Sequence, residues 1–270
     1  MNYIAEIGWN FMGDLDLADK MIASASEAGA NIAKFQYWNP DKLRKGPWDE
    51  DGRREIYYRA QLTSKKISAL NDLCSKHGVD FLMSAFNSED AGVISSISEH
   101  AIKIPSHEIA NYELIEFSLD QFKKVYISAG ACSTEELNNV AKIVNNKRPS
   151  DSNIVIMHCV SSYPCPVERM NLGRIDAIRE RFDNSLGLSD HSTSTLIPAL
   201  AVMKGVTTIE KHFTIDHDLP GRDNKFAVLP NDFKELVNNA EEARKSVIDY
   251  GVDAQDIELD TINNYRGRWG

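Results

Sequence analysis

Short apolar runs with β character alternate along this chain with longer stretches whose apolar positions recur every three or four residues. The runs are YIAEI (3–7), IAKFQ (32–36), VDFLMSAF (79–86), AIKIP (101–105), KVYISAG (124–130), NIVIMHCV (153–160), SLGLS (185–189) and TTIEKHF (207–213). Between them lie amphipathic segments such as LDLADKMIASASEAGA, TSKKISALNDLCSKHG, STEELNNVAKIVNN and TLIPALAVMKG. Ser133 followed by Glu136 fits a capping box, and Gly29, Gly78 and Gly205 stand where a left-handed residue closes a helix. A strand and helix alternation repeated eight times predicts an α/β fold, a closed (β/α)8 TIM barrel, with a doubly wound open sheet as the rival.

No linker or low-complexity run interrupts the pattern, so residues 1–270 are expected to form a single barrel domain with a short tail at 250–270. One connection stands out. YWNPDKLRKGPWDEDGRREIYYRAQL (37–62) is too long for an ordinary turn and is rich in aromatic and charged residues, as a lid or substrate-facing loop would be.

Composition narrows the function. With 42% hydrophobic and 26% charged residues the chain reads as an ordinary globular protein, and a formal charge of -10 argues against nucleic-acid or anionic-membrane partners. Any anionic ligand is therefore expected to be small and locally held. Cys74, Cys132, Cys159 and Cys165 show no CxxC pair, which points to reduced thiols and a cytoplasmic location. Cys159 and Cys165 read better as small buried hydrophobes than as metal ligands. There is no signal-peptide pattern at the start, and no membrane-spanning apolar run.

In a barrel the C-terminal ends of all strands share one mouth, so polar residues there converge whatever their separation in sequence. They are Glu6, Lys34, Gln36, Ser84, Lys103, Ser106, Glu108, Ser128, His158, Ser161, Tyr163, Ser189, Asp190, His191, Glu210 and His212. Singly, each has a plain structural explanation as a cap, a snorkelling lysine or a backbone partner. Together, two lysines and several hydroxyls imply a phosphate or carboxylate ligand to compensate the desolvated positive charge. His191 and His212, on adjacent strands, could supply two imidazoles to one divalent cation, with other positions left to water and substrate, although two histidines do not define a metal by themselves.

At this point the residues resemble those of the sialic acid (N-acetylneuraminate) synthases and their nonulosonic acid relatives. The matching stretches are IAEIGWN, AGANIAKFQ, IKIPSHEIANYELIE, YISAGACSTEE, HCVSSYPCPVERMNL, GLSDHS and IEKHFTIDHDLPGRDNKFAVLPNDF, in family order from about residue 3 to residue 250. The resemblance implies condensation of phosphoenolpyruvate with an aldehydic, N-acetylated sugar, giving a 3-deoxy-2-keto sugar acid and phosphate. It implies that His191 and His212 hold the metal, typically manganese, with magnesium or cobalt as alternatives. Lys34, Ser84, Lys103, Ser106, Ser128 and Ser189 match positions that bind phosphoenolpyruvate, and Ser161 replaces an asparagine of that set. Glu6 matches a general acid/base, while Gln36, Glu108, Tyr163 and Asp223 match the sugar side. Read without the resemblance, Glu6 is an interior ion-pair partner of Lys34, Tyr163 a packed aromatic and Asp223 a turn former.

Phe11, Ala85, the PSHE stretch (105–108) and the SAGA stretch (128–131) depart from the family pattern. The family chain also continues into a small antifreeze-like domain whose arginine reaches the partner's acetamido sugar, whereas this sequence ends at NNYRGRWG. Whether the chain is naturally short or a piece of a longer one is left open by the sequence; if it is naturally short, Arg53, Arg54 and Arg59 in the long loop, or Arg266 and Arg268 at the end, are the expected substitutes, and a homodimer is left open. The rival readings are a synthase acting on a phosphorylated aldose, a non-catalytic sugar-binding barrel, and Schiff-base chemistry through Lys34 or Lys103.

Overall fold

The computed structural model describes residues 1–270. Eight parallel strands close on themselves in sequence order, β1 pairing with both β2 and β8. They are β1 (Asn2–Gly8), β2 (Ile32–Gln36), β3 (Asp80–Ser84), β4 (Ala101–Ile104), β5 (Lys124–Ser128), β6 (Ile154–Cys159), β7 (Ser185–Asp190) and β8 (Thr208–His212). The expected TIM barrel is present and the open sheet is not. Several strands stop one or two residues earlier than the apolar runs do, because the chain turns outward at the mouth.

Around the strands run α1 (Leu15–Glu27), α2 (Arg53–Ala60), α3 (Ser64–Lys76), α4 (Ser88–Ser95), α5 (Tyr112–Gln121), α6 (Thr134–Lys147), α7 (Arg174–Arg179), α8 (Ile197–Met203), α9 (Pro230–Ser246) and α10 (Leu259–Asn264). The local signals act where the sequence placed them. Ser133 Oγ accepts from the Glu136 amide at 3.2 Å while Glu136 Oε2 accepts from the Ser133 amide at 2.7 Å. Gly29, Gly78 and Gly205 take φ of 97°, 69° and 81°, the left-handed geometry that ends a helix at little cost for glycine. The long connection 37–62 is not structureless: it contains two 3₁₀ turns and α2. No helix is long and apolar enough to cross a membrane.

Strand alternation then decides what each residue faces. Ile4, Ile32, Leu82, Ala101, Tyr126, Val155 and Met157 form a cluster of their own inside the barrel, below the mouth. Residues of opposite parity, such as Ala5, Ala33, Met83, Ile102 and Ile156, join the outer core between strands and helices. Two residues further along each strand from the inner cluster come Glu6, Lys34, Ser84, Lys103 and Ser128, so the barrel interior changes from apolar floor to polar mouth within one period-two step.

Leu82 is fully buried in that floor. Leu82→Ala is expected to cost about 2–5 kcal/mol in chemical denaturation, since the closed barrel cannot collapse around the void.

Candidate active site at the barrel mouth

At the centre of the mouth lies a buried quartet of charges. Lys34 Nζ stands 2.6 Å from Glu6 Oε2 and 3.8 Å from Glu210 Oε1. Lys103 Nζ donates to both Glu210 oxygens, at 2.8 and 2.9 Å, and Ser189 Oγ donates to Oε1 at 2.9 Å. Gln36 Nε2 donates to Glu6 Oε1 at 2.5 Å. The two carboxylates are driven apart. Burial alone would push both up, but Lys103 and Lys34 together hold Glu210 well below the usual range, whereas Lys34 and Gln36 only partly offset burial at Glu6, which stays raised. Lys34 remains raised because Glu210 and Glu6 outweigh its burial, and Lys103 is lowered by burial against the pull of Glu210.

Beside the quartet, hydroxyls surround a glycine. The Gly130 amide donates to Ser106 Oγ at 3.2 Å. A Cβ at Gly130 would stand 2.6 Å from Ser106 Oγ and 2.9 Å from Ser161 Oγ, so any larger residue has to push these hydroxyls aside. Ser128 Oγ is buried without a hydrogen-bond partner. Lysine ammoniums and hydroxyl donors arranged this way are suited to an oxyanion.

The histidines close the far side. The ring centroids of His191 and His212 lie 5.5 Å apart, and Tyr163 packs on them at 4.1 and 5.7 Å. His191 Nδ1 sits 2.8 Å from the Val160 carbonyl oxygen. A carbonyl can only accept, so Nδ1 carries a proton and Nε2 is the atom left to meet a cation; burial favours the neutral ring, but Cys159 and the Val160 carbonyl outweigh it and raise its pKa above the usual value. His212 Nδ1 is buried with no hydrogen-bond partner. Burial, reinforced by the neighbouring His191, holds His212 well below its usual value and therefore neutral, as a ligand must be. No third His, Cys, Asp or Glu completes a ligand group. The donor set thus fits a divalent cation that keeps most of its positions for water or substrate. Asp223 Oδ2 lies 3.8 Å from His212 Nδ1 and accepts from Trp9 Nε1 at 3.2 Å; burial and the charge of Glu6 push its carboxyl up to about 6.

The charged, hydroxyl, histidine and aromatic side chains of this set line one cavity of about 930 Å³, which also contains Glu108 and Ser84. The pattern that defines the NeuB family matches residues 21–266. The chain belongs to the NeuB family. It is 31% identical over 267 residues to a pseudaminic acid synthase of Campylobacter jejuni, covering 95% of this chain and 77% of that protein. It is 30% identical over 256 residues to an N,N'-diacetyllegionaminic acid synthase of Legionella pneumophila, covering 89% and 71%. Among solved structures, an N-acetylneuraminic acid (sialic acid) synthetase from Leptospira borgpetersenii superposes with a TM-score of 0.88 at 32% identity, over 98% of this chain and 92% of that one. A heptulosonate phosphate synthase from Thermotoga maritima, at 15% identity and TM-score 0.70, shares the fold.

The fourteen residues singled out in this NeuB chain (Glu6, Lys34, Gln36, Ser84, Lys103, Ser106, Glu108, Ser128, Ser161, Tyr163, Ser189, His191, His212 and Asp223) all line the cavity. Two of the other strand-end residues do not. His158 bonds the Met170 carbonyl oxygen at 2.7 Å, and Asp190 pairs with Lys211 at 2.6 Å, both on the outer parity of their strands. The inference of an anion from uncompensated lysines also needs correction, because Glu6 and Glu210 already pair with both. Glu210 was visible at a strand end, but its role as the hub was not. Cys159, read as a plain hydrophobe, lines the cavity with its sulfur 3.8 Å from His191 Nδ1. Burial would raise this thiol, but His191 draws it down to about 7.

The expected arginines are elsewhere. Arg54 pairs with Asp49 and donates to the carbonyls of Pro40, Leu43 and Arg44, pinning the long loop to itself. Arg53 pairs with Asp51 at 2.6 Å, and Arg268 stacks over Tyr265 and Trp269 in the exposed tail. The cavity instead holds Arg44 and Arg222, with Trp9, Trp38 and Tyr57 forming an aromatic wall of ring centroids 5.8–5.9 Å apart. Phe11, one of the departures from the family pattern, lies in the core edge-on to Phe35 and does not line the cavity.

Gly130→Ala is expected to displace both Ser106 and Ser161 hydroxyls and to weaken binding of inorganic phosphate, or of a phosphorylated substrate, at least tenfold with the fold intact. Calorimetric titration beside a far-ultraviolet spectrum checks it.

Proposed function

We propose that this chain condenses phosphoenolpyruvate with the open-chain aldehyde of an N-acylated sugar, forming a 3-deoxy-2-keto sugar acid and releasing phosphate. The observation that carries the reading is the convergence of Lys34, Lys103 and the serine hydroxyls with the His191–His212 pair in a single cavity of a NeuB-family barrel. The synthases it resembles make nonulosonic acids, which is the product class proposed here.

Each group has work in that reaction. Lys34, Lys103, Ser106, Ser128, Ser161 and Ser189 would bind and orient the phosphate and carboxylate of phosphoenolpyruvate. An incoming anion competes with Glu6 and Glu210 for the lysines, and Glu6, the less acidic of the two, is the carboxyl placed to accept or return a proton. His191 and His212 would hold a divalent cation, manganese in our reading, which supplies Lewis-acid polarisation of the aldehyde oxygen. Gln36, Glu108, Tyr163 and Asp223, with the aromatic wall, face the acceptor. The carbon–carbon bond forms between C3 of the enol and the aldehyde carbon; water adds at C2, and phosphate departs by C–O cleavage.

A phosphorylated aldose is the second reading, favoured by the cationic Arg44 and Arg222 in the cavity. Schiff-base chemistry through Lys34 is disfavoured, since Glu6 and Glu210 keep Lys34 in its charged form.

The test is phosphate release from phosphoenolpyruvate with manganese and a panel of phosphorylated and unphosphorylated aldehydic sugars. Metal-dependent release with one sugar is expected, falling at least a hundredfold in His191→Ala and in His212→Ala. Release that survives chelation or either substitution would refute the metal role, and absence of release across the panel would refute the condensation.

A further inference from the structure

The GLSDHS stretch places an acid immediately before His191, yet strand alternation sends the two side chains to opposite faces. Asp190 points away from the mouth, into the layer between barrel and helices, where it is fully buried against Lys211 of β8. The same alternation places Lys211 immediately before the inward-facing His212. The two residues are register partners across β7 and β8, and Lys211 Nζ lies 2.6 Å from Asp190 Oδ2.

Lys211 does more than close an ion pair. Its ammonium also donates to the carbonyl oxygens of Ser192, at 2.7 Å, and Ser194, at 3.1 Å. Asp190 Oδ1 in turn accepts from the Ser192 amide at 2.8 Å. One side chain of β8 therefore grips the chain on both sides of His191. That matters because β7 ends at Asp190: His191 lies past the last register pair, so no β ladder holds it, whereas His212 is still paired with Glu6 of β1. His191 is also held by its contact with the Val160 carbonyl, by the Cys165 amide on its carbonyl oxygen at 2.8 Å, by the Cys159 sulfur at 3.8 Å and by the Tyr163 ring packed on it.

We propose that the buried Asp190–Lys211 pair is a positioning device that sets the separation of the two histidines, and with it the affinity for a divalent cation. The inference rests on reading His191 and His212 as the cation's ligands. Stability alone does not call for an ion pair here, since apolar residues of similar volume commonly serve a buried position as well or better. A pair that brackets one ligand and adjoins the other acts as an outer-shell support, and loss of such supports typically weakens metal binding about 10- to 100-fold.

The experiment is a manganese titration of the purified full chain, following free Mn2+ by electron paramagnetic resonance. The double variant Asp190→Asn/Lys211→Met removes both charges, so that neither is left buried alone. It is expected to bind manganese at least tenfold more weakly than wild type and to regain turnover in excess manganese, which His191→Ala does not. Asp190→Asn alone, which retains the shape and the Ser192 amide acceptor, should show a smaller loss in the same direction. Arg148→Met breaks a remote, partly buried network with Asp151 and the Phe122 carbonyl, and should lower thermal stability while leaving manganese affinity unchanged. Wild-type affinity in the folded double variant or in Asp190→Asn overturns the positioning role. A wild-type chain that binds no manganese overturns the metal reading, and the inference with it.

Discussion

The mouth of this barrel depends on Glu210. Its carboxylate takes two hydrogen bonds from Lys103 and one from Ser189, and its charge reaches Lys34. Without it, two buried ammonium groups would have Glu6 as their one ion-pair partner. Desolvation of that excess charge would cost several kcal/mol unless a lysine gave up its proton. With it, both lysines stay in place in the absence of substrate, and the site is close to charge-neutral at its centre. Binding of an anion is then an exchange of partners rather than the filling of a bare positive hole, which keeps the geometry ready for it.

That exchange gives Glu6 its distinct character. It shares Lys34 with Glu210 but lacks the second lysine, so burial prevails and its carboxyl is the less acidic of the two. Two similar side chains on neighbouring strands thus acquire different acidities, Glu210 a firmly ionised counter-ion and Glu6 the carboxyl that takes up a proton more readily. The cation side follows a complementary rule. His212 is kept neutral by burial and His191 is oriented by the Val160 carbonyl, so two imidazoles of different proton affinity face the same space.

Much of this was legible in the residues. The period-two runs separated by helical patterns located all eight strands, and the barrel's shared mouth then brought together residues from position 6 to position 223. The capping box at Ser133 and the helix-ending glycines acted locally and were read correctly for that reason. The arginines of the long loop were misread, because Arg54 and Arg53 are claimed by Asp49 and Asp51 only a few residues away, and a charged loop does not announce whether its charges are spent internally. Asp190 and His158 were placed at the mouth by position, whereas the parity of their strands turns them outward.

The sequence by itself determined the alternation of elements, the parity that aims each strand residue inward or outward, and the family to which the chain belongs. These follow from local backbone periodicity and from the order of motifs along the chain. Tertiary structure alone decided which charges neutralise one another. Lys103 and Glu210 are separated by 107 positions and Lys34 stands opposite Glu6 only once the barrel closes, so no local pattern encodes the pairing. The same holds for Lys211 and the loop around His191: the contact exists because β7 and β8 lie side by side, and closure of the sheet supplies that neighbourhood.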